Sequence, residues 1–180
     1  DNDLDEMTIQ IVIKPDAVSD HRSLISFQSS DGTKKFGIML KSSKINAWAQ
    51  NTGNSSNFVG TSTGSTISNS TWYHIVATVN NLDDNTVAPS VSLWVNGVKQ
   101  AGAHNSGDVI WKASRIGFAD NDESGSITAV YYNGHISQIA IWMGNITQNQ
   151  IAGLYMGGKP RSALNVSRGG LMRHTSNETS

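Results

Sequence analysis

Trp72-Tyr73-His74-Ile75-Val76-Ala77-Thr78-Val79 is a run without Asp, Glu, Lys, Arg, Gly or Pro. Tyr73, Ile75, Ala77 and Val79 alternate with Trp72, His74, Val76 and Thr78, the period of a β-strand. Apolar side chains fall in both sets, so both faces are expected to be largely buried and the strand to be central. Downstream, Val91, Leu93 and Val95 alternate into Asn96-Gly97. A type I′ hairpin turn needs positive φ at both central positions, which Asn-Gly supplies, so Val98 to Ala101 should return antiparallel. Upstream, Met7, Ile9, Ile11 and Ile13 alternate and stop at Pro15, as a strand with one buried face does.

Further strands are expected at Leu24 to Phe27, Phe36 to Leu40 and Ile45 to Ala49, separated by the turn-forming Ser30-Asp31-Gly32 and Ser42-Ser43. Residues 51 to 70 are mostly Asn, Ser, Thr and Gly around Phe58, Val59 and Ile67, which suits weak edge strands or an exposed loop. Arg115 to Phe118, Ile127 to Tyr132 and His135 to Trp142 complete about ten strands. One helix is expected. Thr147-Gln148-Asn149-Gln150 forms a capping box, Ile151, Leu154 and Tyr155 give an apolar stripe, and Gly157-Gly158 with Pro160 ends it. The fold class is all-β: an antiparallel two-sheet β-sandwich (jelly roll) over residues 1–160, with this short C-terminal helix closing one end. Residues 161–180 lose periodicity and read as a polar tail or linker, leading to a further segment.

Composition excludes several partners. The 180 residues carry a net charge of −1, so there is no basic field for nucleic acid or anionic membrane. No apolar run approaches the roughly 20 residues that a membrane-spanning helix needs, so membrane insertion is not expected. The absence of cysteine removes disulfides, thiolate metal sites and thiol nucleophiles.

Together the residues carry a family resemblance. Met7 to Asp16, Trp72 to Val79, Ser92-Leu93-Trp94-Val95-Asn96-Gly97, Arg115-Ile116-Gly117-Phe118, Asn133 to Trp142 and Ile151 to Tyr155 resemble, in order and spacing, the concanavalin A-like lectin/glucanase superfamily in its laminin G-like form. The likeness covers residues 7 to 160 and implies a jelly roll whose members include lectins, calcium-dependent adhesion modules, glycoside hydrolases and parts of viral particles. Two departures stand out. An edge strand usual before the first Thr-Ile strand would have to precede Asp1, which suggests a fragment of a longer chain. Ser137 and Gln138 stand where many members carry acidic residues.

The glucanases of this superfamily place their carboxylates as Glu-x-Asp-x-x-Glu, and no such run occurs; the only glutamates are Glu6, Glu123 and Glu178, so no enzyme is expected. Asp120-Asn121-Asp122-Glu123 offers hard oxygen ligands in a short loop, making Asp120, Asp122 and Glu123 the candidates for calcium; Asp83-Asp84-Asn85 is a second acidic cluster, read instead as a solvated turn. For glycan or partner contact the candidates are Trp48, Trp94, Trp111, Tyr131 and Tyr132, since an exposed aromatic ring can stack on the apolar face of a pyranose. Trp72 and Trp142 read as core, and His74 as a structural residue of its central strand. Two functions follow as expectations. The first is a structural or surface component, for decoration or adhesion, of a viral particle or extracellular assembly, with protein subunits as partners and an oligomer as a natural state. The second is a lectin at a cell or particle surface, binding glycan with the help of calcium.

Overall fold

In the computed structural model, residues 5–18, 22–29, 33–51, 58–84, 86–103, 115–116, 118–119, 130–155 and 171–176 are described. Their alternation becomes two layers. The first sheet runs in the order β14 (Leu171–Ser176), β13 (Gly134–Met143), β1 (Met7–Pro15), β6 (Tyr73–Asn80), β7 (Ser90–Val95), β8 (Val98–Gln100). The second runs β10 (Arg115–Ile116), β2 (Arg22–Gln28), β3 (Lys35–Lys41), β4 (Lys44–Gln50), β5 (Phe58–Ser62), β9 (Gly102–Ala103). A separate two-stranded piece pairs β11 (Phe118–Ala119) with β12 (Val130–Tyr131). All pairings are antiparallel.

The core lies between the sheets. Ile9, Ile11 and Ile13 of β1, Ile75, Ala77 and Val79 of β6, and Ile139 and Ile141 of β13 meet Phe36, Ile38 and Leu40 of β3 and Ile45, Ala47 and Ala49 of β4. Each of the larger aliphatic chains contributes about 1.5–3 kcal/mol by leaving water. The expected hairpin is present: Asn96 and Gly97 both take positive φ, 52° and 76°, and the Asn96 side chain accepts a hydrogen bond from the His74 N–H at 2.9 Å.

Helix α1 (Gln148–Tyr155) has the expected reciprocal cap. The Thr147 N–H donates to the Gln150 side chain at 2.7 Å, and the Gln150 N–H to the Thr147 hydroxyl at 3.3 Å. Its position corrects the sequence reading. Instead of closing an end of the sandwich, α1 lies on the outer face of the first sheet, where Ile146, Ile151 and Leu154 pack with Val76, Trp94, Ala140 and Trp142. Those strand residues point away from the main core and are apolar, so they need a second cover, and the helix supplies it. The polar tail is also corrected in part. Residues 171–176 form β14 on the free edge of β13, where backbone pairing needs no apolar pattern.

Candidate functional site

The outer face of the first sheet continues past the helix, and its last row carries exposed chemistry. Ile13 pairs with Tyr73 and Ile136, both packed against the core, and Lys14 pairs with His135. One step further along the β1–β6 register sets Trp72 opposite Lys14. By alternation, Trp72, Lys14 and His135 therefore share the outer face. A β-bulge makes this possible. β13 shifts register between the partners of Val12 and Ile13, so Ser137 is the extra residue; Ile139 and Ile136 both face inward, and His135 turns outward beside Lys14.

Trp72 is 49% exposed, the one Trp, Tyr or Phe so exposed among the residues whose side-chain burial is described. Its ring lies 6.5 Å from that of His135, tilted by 57°. Lys14 lies on the strand between the two rings and is half-buried, while His135 is exposed. Backbone bonds fix the row at this end of the sandwich: the Ser70 N–H donates to the Pro15 carbonyl at 2.6 Å, and the Asp16 N–H to the Asn133 carbonyl at 3.0 Å. Gly134 runs so close to β1 that a Cβ there would meet the Lys14 carbonyl and stand 2.6 Å from Tyr132 Oη.

The aromatic residues expected to contact a ligand fall elsewhere. Trp48 is 1% exposed and offers no open ring face. Its register neighbours are Gly37 on β3 and Gly60 on β5, whose missing side chains leave room for a flat indole on the sheet. Trp94 is 7% exposed; it belongs to the cluster under α1, with Lys99 Nζ 5.4 Å above its ring. Both are corrected to packing roles, because both rings are buried, that of Trp94 by α1. Tyr132 packs its ring at the core edge, and its Oη lies 3.4 Å from the His135 carbonyl. Burial, then the charge of Asp16, holds the phenol well above its ordinary range, so it stays a neutral donor. Tyr131 contributes backbone pairing to Phe118; its side chain, Trp111 and the proposed calcium ligands Asp120, Asp122 and Glu123 lie outside the described residues.

Trp72 was expected in the core and is instead exposed: it stands one residue before β6 and outside the apolar cluster that α1 covers. Trp142 is buried as expected, and so is His74. The His74 ring stacks on Tyr155 of α1 with centroids 5.7 Å apart, and burial lowers its pKa from 6.5 to about 4. The Asp83-Asp84 cluster is used internally: Asp83 pairs with Lys34, and an Asp84 carboxylate oxygen accepts from the Thr86 N–H, the Thr86 hydroxyl and the Val87 N–H. No group of three or more His, Cys, Asp or Glu among the described residues could hold a metal ion.

Two antiparallel sheets packed about one core, with a short helix on one outer face, define a jelly-roll β-sandwich. The sequence matches the concanavalin A-like lectin/glucanases superfamily over residues 1–152, and the chain belongs to that superfamily. No curated protein sequence matches it. Solved structures of the same fold include a native heptameric SAP-like pentraxin from Limulus polyphemus, with 18% identity and a TM-score of 0.56 over 84% of this chain and 70% of that one. Domain 4 of the extracellular arabinanase AbnA from Geobacillus stearothermophilus, solved with arabinotriose, has 18% identity and a TM-score of 0.57 over 84% and 67%. The CBM40 of a Ruminococcus gnavus IT-sialidase, bound to α2,3-sialyllactose, has 13% identity and a TM-score of 0.55 over 86% and 84%.

Proposed function

We propose that this chain is a non-catalytic carbohydrate-binding module whose contact surface includes the Trp72, Lys14 and His135 row. The observation that carries the reading is the exposure of Trp72 beside a second ring, in a fold where Trp48, Trp94 and Trp142 are all buried. Placing a large apolar ring in water has a cost that packing does not recover, and stacking on a sugar recovers it. Relatives in fold support the same reading, since two of them were solved holding oligosaccharides. The non-catalytic part rests on the sequence, which lacks the paired-carboxylate run of the superfamily's glucanases.

Of the two functions expected from sequence, this reading takes the glycan binder over the particle component, because a subunit interface does not by itself call for a lone ring pair at a sheet end. The module would act at a cell or particle surface, where glycans are met. Calcium assistance stays part of the proposal through Asp120, Asp122 and Glu123. The test is a glycan-array screen of the folded chain, once with calcium and once with chelator. Saturable binding to a defined set of glycans is expected, with loss in chelator if calcium takes part. No binding in either condition overturns the reading.

A further inference from the structure

From the donors in the exposed row, we infer that it selects anionic glycans, those bearing a carboxylate or a sulfate, over their neutral counterparts. The inference rests on the carbohydrate-binding reading and names the ligand class of the same surface. Trp72 presents an indole N–H, Lys14 an ammonium with three N–H groups, and His135 an imidazole N–H. Among the described residues none of these side-chain groups has a hydrogen bond or an ion pair. A neutral sugar offers hydroxyls that both donate and accept, and the sites that bind one present both kinds of group. This row offers donors in excess and a cationic side chain on the strand that runs between those bearing the two rings. An acidic sugar supplies the acceptor oxygens and the negative charge, while its ring can lie on the indole.

Among the described residues no charged group pairs with the ammonium. Asp16, two residues along the chain, raises the pKa of the Tyr132 phenol but forms no ion pair with Lys14. Gln138, on the same face one row further in, accepts a hydrogen bond from the Gln10 side chain at 3.3 Å and adds no charge. His74, the next outward residue of β6, is held under Tyr155. Among the described residues Lys14 is thus the cation of this row, and the bulge at Ser137 brings a second donor beside it.

The experiment is a calorimetric titration of the full chain with lactose, 3′-sialyllactose and 3′-sulfolactose, for the wild type, Lys14→Met and Lys14→Arg. Near-UV circular dichroism confirms that each variant is folded. One charge-assisted contact corresponds to a preference of about tenfold for the acidic sugars over lactose. That preference should disappear in Lys14→Met, persist in Lys14→Arg, and shrink as salt is raised from 50 to 500 mM. Equal affinity for lactose and both acidic sugars, or a preference that survives in Lys14→Met, overturns the inference and leaves the carbohydrate-binding reading standing. Absence of binding to all three sugars also overturns it, and the glycan array then decides whether the broader reading falls too. A preference for only one of the two acidic sugars supports the inference and tells carboxylate from sulfate.

Discussion

His74 makes the stability of this fold depend on pH in a way that can be calculated. The ring is buried between the outer face of β6 and Tyr155 of α1, and its Nε2 has no hydrogen-bond partner among the described residues. Burial disfavours the charged imidazolium, which lowers the pKa from 6.5 to about 4. In the unfolded chain the residue takes up a proton near its ordinary value, whereas in the folded chain it resists until about pH 4. Between those values the unfolded state binds more protons, so stability falls as pH falls. At 1.36 kcal/mol per pH unit the whole window corresponds to about 3 kcal/mol, fully retained above pH 6.5 and lost by about pH 4. His74→Phe keeps an aromatic ring against Tyr155 and removes the titration. Urea unfolding followed by tryptophan fluorescence at pH 7.5 and 4.5 should show the wild type losing about 2–3 kcal/mol more than the variant does. The double comparison cancels the carboxylates, which titrate in both proteins. Equal losses in the two proteins would refute the reasoning, because the histidine would then be hydrated or partnered in the folded state.

Other substitutions separate packing from binding. Trp48→Ala removes a buried indole and should destabilise by about 3–5 kcal/mol, whereas Trp72→Ala should change stability by less than about 0.5 kcal/mol and weaken glycan binding, as read by thermal melts and the array together. Gly134→Ala places a Cβ at φ +147°, 2.8 Å from Pro15 Cα and against the Lys14 carbonyl, and should cost about 2–3 kcal/mol with a melting temperature lower by roughly 4–10 °C. Asn51→Leu deletes the amide that donates toward the carbonyls of Asn81, Asp84 and Val87; a loss of about 2–3 kcal/mol and faster hydrogen exchange across residues 81–87 are expected.

Alternation in Met7 to Pro15 and in Trp72 to Val79 was enough to read the two central strands of the first sheet, because period two survives wherever one face meets the core. The Asn96-Gly97 hairpin and the Thr147 cap were legible for a local reason: a few adjacent residues fix each geometry. Tertiary placement was less accessible. Val76, Trp94, Ala140 and Trp142 are apolar on an outward face, which tells of a cover but not that α1 provides it. Trp48 could be read as a ligand platform because its position between Gly37 and Gly60 appears only once three strands are in register. The candidate site was hidden by the bulge. Counting back by twos from Ile139 points His135 inward, and only the extra residue Ser137 reverses it. Trp72 looked like core because it opens an apolar run, and only the tertiary structure shows that it stands outside the cluster α1 covers. β14 had no sequence signal at all, since an edge strand can be held by backbone pairing alone.

The central claim is that the exposed ring of Trp72 binds sugar, and the direct measurement is a side-by-side glycan array of the wild-type chain and Trp72→Ala, both shown to be folded by their melting curves. The account predicts saturable binding of a defined glycan set by the wild type and its loss in the variant at unchanged stability. Glycan binding that is equally strong in Trp72→Ala would contradict it and move the contact surface away from this row.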